Sequence, residues 1–505
     1  MTAVSDCRRW WALLALLLGV LVVGLDVTIL NVALPTLAVD LGASTAELQW
    51  IVDAFIVVLA ALLLPAGLLG DRIGRKKVLL AGMAVFAAAC VAATLADGVA
   101  LLIAARALMG VGAAVVIPVS MAVVPSMFAG AERTRAVALL TAGMAVGLPL
   151  GPLLGGWLLE HYWWGSVFLV NIPLVVVGFI AVAALLPEST DRRAPRLQPL
   201  PIAAAVLGLA ALVYGVIEAP VHGWTSAPVL VGGLGGALLL AGFVAAQLRS
   251  AEPMVDLGLF RSRAFLWGSI VATAASLVLM GSLFLVPQYL QVVQGHTAFG
   301  TGLRLLPMIG GLMVGGLASE RAAARFGYRV TVTAGLGALA VGCLVAAATG
   351  PDSGYGLAAT WLAVLGAGLG MALVPATDAV LGSLPPDRAA VGSALMQTMR
   401  QTGGAVGVAV LGSVASSVYL SRLELPAALP PEAVRAAEES VAGAAALGLP
   451  EAAAAANAAF TDAMTAVFLG CAVLAGAVTV AAVLEFPRSL EADEAQSQDE
   501  PTRTA

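Results

Sequence analysis

Five ionisable side chains interrupt long aliphatic stretches of this chain: Asp26, Asp53, Arg106, Asp378 and Arg400. A carboxylate in such surroundings can bind and release a proton, because burial disfavours its charged form and a neighbouring arginine restores it. An ion near the centre of a membrane helix costs about 2.5–3.5 kcal/mol on insertion scales, so ions kept there tend to serve transport or coupling. Asp26 reads either as a proton site or as the structural partner of Arg106. The two fall at similar depth if their segments run in opposite directions at ~1.5 Å per residue. Asp53 follows Trp50 and reads either as a proton site or as half of a boundary pair. Asn31 joins Asp26, Asp53 and Arg106 as a candidate for the proton and substrate pathway. Asp378, in PATDAVLGSLPPDR, and Arg400, opening RQTGGAVGVA, are candidates for a gate in the second half of the chain.

Two more clusters are defined by spacing. In GLLGDRIGRKK, the residues Gly70, Asp71, Arg72, Gly74 and Arg75 sit with Lys76 and Lys77 between two apolar runs. Positive charge there holds a loop on the cytoplasmic side, which explains neither Asp71 nor the glycines. Asp71 can pair locally, or meet the positive N-terminal end of a helix in the opposite half and latch that side shut. In GMAVGLPLGPLLGG, the residues Gly143, Gly147, Gly151 and Gly155 recur every four positions, with Gly156 after them. Such spacing makes a smooth groove for another backbone, while Pro149 and Pro152 remove backbone donors and bend the same helix.

What is missing narrows the chemistry. No GxxxxGK[ST] loop is present, so no nucleotide motor of that kind is expected. His161, His222 and His296 are far apart, and Cys7, Cys90, Cys343 and Cys471 show neither metal-ligand nor disulfide spacing. The sequence therefore points away from a metal site, a cofactor, a nucleic-acid partner and an enzyme, a membrane-embedded enzyme being the remote alternative.

The elements that carry these residues follow from composition. Of the 505 residues, 60% are hydrophobic and only 11% charged. Fourteen apolar stretches, from 11–36 to 462–484, are each long enough to span a ~30 Å hydrocarbon layer as a helix. This is an all-α polytopic membrane protein, with a first span that is retained rather than cleaved. With a cytoplasmic N-terminus, 20 of the 25 Lys and Arg residues fall in cytoplasmic segments, and the even number of spans places both termini inside. A weak echo, ARFGYR at 324–329 against DRIGRK at 71–76, divides the chain into two equivalent halves of six spans joined through an extra pair at 200–247. Parallel six-span repeats are a recurring transporter plan, with the substrate site between the halves. The expected boundaries are 1–190 for the first half, 191–263 for the linker and its two extra helices, 264–488 for the second half and 489–505 for a cytoplasmic tail. An Ala-rich outer segment, 421–460, reads as an exposed helix or hairpin, serving either as a solvated cap or as a binding lid.

The motifs resemble those of the major facilitator superfamily. GLLGDRIGRKK looks like its loop signature, LLIAARALMGVGAA resembles its fourth-span motif with Arg106 as the embedded arginine, and GMAVGLPLGPLLGG resembles its antiporter signature. LDVTILNVALP and WWGSVFLVNIP are similar to patterns of the fourteen-span drug:proton antiporters, the EmrB/QacA type. One departure is Ala324, where the second-half loop of the family often keeps an aspartate. The resemblance implies a major facilitator fold with two added helices, and proton-coupled efflux of multiple drugs or antibiotics by alternating access. Its expected partners are a lipophilic small molecule, protons and the bilayer of a bacterial plasma membrane, with the protein a monomer. The alternative is an exporter of a lipid or of a self-made metabolite.

Overall fold

The computed structural model describes residues 6–190, 197–250, 253–384, 388–426 and 429–487. The expected tail at 489–505, and Arg192, Arg193, Arg196 and Arg488 among the basic residues counted above, lie outside them. The described residues hold fourteen helices long and apolar enough to cross a membrane. The first six are α1 (Arg8–Asp40), α2 (Thr45–Ile73), α3 (Arg75–Thr94), α4 (Val99–Met127), α5 (Gly130–His161) and α6 (Ser166–Leu185). An added pair, α7 (Pro199–Ile217) and α8 (Ala227–Arg249), separates them from the second six. These are α9 (Arg263–Val293), α10 (Ala298–Phe326), α11 (Tyr328–Ala346), α12 (Tyr355–Gly382), α13 (Val391–Arg422) and α14 (Pro450–Glu485).

Helix pairing repeats between the halves. In the first, α1 packs on α5, α2 on α4, and α3 on α4; in the second, α9 packs on α13, α10 on α12, and α11 on α12. Small residues set these contacts, as expected where lipid removes the hydrophobic drive for association. A Cβ on Gly110 would lie 2.6 Å from the Phe55 carbonyl, and one on Gly403 would lie 2.5 Å from the Thr273 carbonyl. The added pair packs on itself and lays α7 against α2 and α13, where Ser413 Oγ donates to the Val216 carbonyl at 2.7 Å.

The sequence echo between loops is a shared backbone geometry. Gly74, between α2 and α3, has φ +132°, and Gly327, between α10 and α11, has φ +85°. Both N–H groups close the preceding helix, onto Gly70 O at 3.0 Å and Ala323 O at 2.9 Å. Only glycine enters that backbone region without strain. All these basic loops, with the start of α1, crowd one end of the bundle, termed the basic face below; the other end is the far face.

The 421–460 segment is helical at the far face, but its end belongs to the last span. Two short helices, Pro431–Glu439 and Val441–Ala446, form a cap at the far face, and Ala437 and Ala444 in it are fully buried. The last span already begins at Pro450. Alanine explains the misplacement: EAAAAANAAF is only mildly apolar, yet alanine is the strongest helix former, so the helix runs past the hydrophobic stretch.

Candidate functional site

Asp26 and Arg106 meet inside the first half, both essentially unexposed. Arg106 Nη1 donates to Asp26 Oδ2 at 2.5 Å, and Arg106 Nε donates to the Ile51 carbonyl at 3.0 Å. The guanidinium lies 4.4 Å from the centre of the Phe55 ring. The other oxygen, Asp26 Oδ1, accepts from Asn171 Nδ2 at 3.1 Å. α1, α4 and α6 thus converge on one carboxylate, whose two oxygens are both occupied. Asn171 was not singled out from sequence. Its available signal was an amide inside the apolar run WWGSVFLVNIP, where an unpaired polar group is costly.

Asp53 has the opposite environment. It is fully buried, and neither carboxylate oxygen has a hydrogen-bond partner. Trp50 makes its ring contact with Tyr214 of the added α7, at 6.3 Å between centroids. Asp53 lies one helical turn from Gln49, on the same face of α2. Gln49 Nε2 donates to the Val408 and Ala409 carbonyls of α13, both at 3.0 Å. Gln49 is a site residue that sequence reasoning missed. Asn31 donates to the Val27 carbonyl at 3.2 Å, and its own Oδ1 is buried without a partner.

The glycine ladder of α5 faces α1. A Cβ on Gly143 would meet the Leu17 side chain at 2.9 Å, and one on Gly147 would meet the Leu25 nitrogen at 2.6 Å. At Gly151 it would strike Thr28 Oγ1, and at Gly155 the Ile29 side chain at 2.7 Å. Gly156 points elsewhere: its Cβ would lie 2.5 Å from the Ala298 carbonyl of α10, in the other half. Pro149 and Pro152 both sit within the unbroken helix α5.

Asp71 takes the local option. It pairs with Arg75 at 2.7 Å, one turn away, while Arg72 is exposed. Glu188, at the end of the first half, accepts from the Lys76 N–H at 3.0 Å and packs on Gly74. In the second half, Asp378 is exposed near Glu320 and Tyr328 at the basic end. Arg400 lies apart from them, without a hydrogen bond, ion pair or ring contact, and its Nε is shielded.

The hydrogen bonds that join the two halves among the described residues all lie toward the far face. Besides Gln49, Thr45 Oγ1 donates to the Glu439 carbonyl at 2.9 Å, Gln291 Nε2 to the Val32 carbonyl at 2.8 Å, and the Phe299 N–H to Glu160 Oε1 at 3.1 Å. Toward the basic face, Val146 of α5 and Met313, Val314 and Leu317 of α10 are exposed. A small void of about 30 Å³ lies between the halves, lined by Thr28, Leu148 and Pro152 on one side and Leu279, Leu283 and Met308 on the other. Its lining is aliphatic apart from Thr28, so it suits apolar matter.

Comparison with known proteins agrees with this architecture. The family model of the Major Facilitator Superfamily matches residues 16–408. The chain is 37% identical to the multidrug efflux pump LfrA of Mycolicibacterium smegmatis, over 95% of this chain and 97% of that one. It is 34% identical to the methyl viologen resistance protein SmvA of Salmonella typhimurium, over 86% and 88% of the two chains. It is likewise 34% identical to the tetracenomycin C resistance and export protein of Streptomyces glaucescens, over 81% and 76%. Among solved structures, a bacterial homologue of the human lysosomal transporter Spinster superposes with a TM-score of 0.67 at 19% identity, over 95% of this chain and 98% of that one. The paired helices, the repeated glycine loops and these matches together place the chain in the major facilitator superfamily.

Proposed function

We propose that the protein exports lipophilic drugs or antibiotics by alternating access, in exchange for protons, in the manner of the EmrB/QacA type. The basic face is cytoplasmic in this reading, so the conformation described is closed to the outside. The similarity to relatives named as multidrug, methyl viologen and tetracenomycin C exporters supports the cargo class.

One observation carries the coupling: a fully buried carboxylate without partners, Asp53, one turn from the Gln49 bonds that close the far face. An ion sealed away from water and partners is costly, so Asp53 holds a proton while the outside is closed. Opening the outside breaks the Gln49 bonds, hydrates the site and loads the proton; for exchange, that proton passes to the basic side after the far face has closed and before cargo is carried out. Asp26 plays a different part, because Arg106 and Asn171 already compensate its charge; it fastens α1, α4 and α6 into one body. The α5 glycines let α1 and α5 move as a tight pair, and Gly156 supplies the contact that must part. The Gly70–Arg75 loop, with Asp71 on Arg75, is released for the basic-face closure of the other state, where Asp378 serves as the second-half gate.

The deciding experiment measures accumulation of a dye and antibiotic panel in pump-deficient cells, with and without an uncoupler. Expression should lower accumulation of at least one lipophilic compound, and collapse of the proton gradient should restore it. Efflux that survives the uncoupler and stops on ATP depletion would overturn the reading.

A further inference from the structure

Arg400 is an unpaired cation in the part of the molecule where a charge is most expensive. It lies nine residues into α13 from Val391, about 14 Å along the helix axis, well inside the spanning segment. Among the described residues it makes no hydrogen bond, ion pair or ring contact, which sets it apart from Arg106 with its carboxylate, carbonyl and ring. Its Nε is shielded and unbonded, while the residue as a whole is only partly buried, so part of the side chain borders accessible space.

The direction of that space follows from α13. Gly404 and Gly407 lie one and two turns beyond Arg400, on the same face. A Cβ on Gly404 would meet Met280 of α9 at 3.0 Å and Ile56 of α2 at 3.9 Å; one on Gly407 would meet Leu277 of α9. Arg400 is therefore on the face turned toward α9 and the first half, away from lipid. Among the described residues the acids of the second half form no pair with it, and Asp378 is grouped with Glu320 and Tyr328 near the basic end. Asp53, on the facing helix, is sealed. The contacts of Gly404 with Ile56 and of Gly412 with Gln49 set the antiparallel register of α2 and α13. By that register Asp53 lies opposite residue 407 or 408, about 10–12 Å beyond Arg400 along the axis.

We infer that Arg400 is the anion-recognition point of the transport path, taking a carboxylate or phenolate of an amphiphilic substrate whose apolar body lies against the aliphatic seam. A guanidinium presents two parallel donors to a planar oxyanion, and a substrate carrying one supplies the counter-charge that this chain withholds. The inference rests on the efflux reading above and narrows its substrate class: anions and zwitterions are recognised by charge, cations only by their apolar bodies.

The test uses two xanthene dyes of similar size, anionic fluorescein and cationic rhodamine 6G. Affinity of the purified full-length protein is measured by fluorescence anisotropy, and efflux in cells. Loss of a hydrogen-bonded charge contact lowers affinity about tenfold to a hundredfold. Arg400→Gln should therefore lower the ratio of fluorescein to rhodamine 6G affinity by that factor, and Arg400→Lys should recover part of it. An equal loss for both dyes would mark Arg400 as structural, and an unchanged ratio would remove it from recognition; either overturns the inference. Wild-type protein that exports rhodamine 6G but does not bind fluorescein overturns it as well, leaving the efflux reading intact. Failure to export either dye or any compound of the wider panel would instead count against efflux itself.

Discussion

Replacing Arg106 by methionine removes the 2.5 Å bond to Asp26 and the bond to the Ile51 carbonyl, leaving Asp26 with Asn171 alone. Stranding one member of a buried pair costs about 3–5 kcal/mol. Asp26→Asn strands the guanidinium instead, but the Ile51 carbonyl and the Phe55 ring remain. A cation–π contact returns about 0.5–2 kcal/mol, so the loss is nearer to about 3 kcal/mol. Independent effects would sum to about 7 kcal/mol. In the double variant neither ion is left, so the cost should not exceed that of the worse single, about 4 kcal/mol. The coupling is therefore about 3 kcal/mol. Titration of the four detergent-solubilised proteins with SDS, followed by tryptophan fluorescence, measures it directly. Losses that add within about 0.5 kcal/mol would refute the pairing as an energetic unit, whatever the distance between the atoms.

Asp53→Asn, which fixes the side chain neutral, should abolish proton-coupled efflux in proteoliposomes while binding of a transported dye remains measurable; full activity would take Asp53 off the proton path. Asp71→Asn should leave expression and insertion intact, because Arg72, Arg75, Lys76 and Lys77 remain, yet slow transport; wild-type efflux at equal expression would reduce the loop to a topology signal. Gly156→Leu should keep the far face from closing, since a Cβ added there would lie 2.5 Å from the Ala298 carbonyl; spin-label distances between α5 and α10 should lengthen at their far ends. His296, in the far-face loop before α10, has its pKa lowered by burial first and by the Arg304 charge second. The detached loop then takes up a proton at the ordinary histidine value of about 6.5 before the closed one does. Closure should thus be complete above that pH and weaken below it, and His296→Gln should remove this part of the pH dependence in the same distance measurement.

Apolar runs, basic loops and spaced glycines were legible because each has a strict local cause. Spans need about 20 apolar residues, and the turns at Gly74 and Gly327 need a residue free of a Cβ. The pairing of Asp26 with Arg106 was legible too, since depth along antiparallel helices needs only residue counts. Asn171, Gln49 and Glu188 were not, because each acts through a partner distant in sequence: Asn171 on Asp26, Gln49 on α13, Glu188 on the loop after α2. Amides and surface acids are common, and nothing in their neighbours announces the contact. The two readings of Asp71 also could not be separated from sequence, because the choice between Arg75 and a helix end depends on which state of the two halves is occupied.

Under the proposed function, the unequal treatment of the buried ions is what gives the exchange its direction. Asp26 is compensated within the first half, so parting the halves changes nothing around it. Asp53 stands on α2 at the seam, without a hydrogen-bond partner among the described residues, beside the bonds from Gln49 that join α2 to α13 in this conformation. Sealing its ionised form costs several kcal/mol, against little for the protonated form. Even 3 kcal/mol of that difference shifts the balance between the two states more than a hundredfold. In the proposed cycle, a proton taken up from outside therefore favours closure of the outside and exposure of the cytoplasmic side, where it is later released. Cargo that enters there has to pull the halves toward the other state against that bias, which it can do only if the proton leaves. In the proposed cycle, with Asp53 as the proton carrier, the coupling is an exchange rather than co-transport.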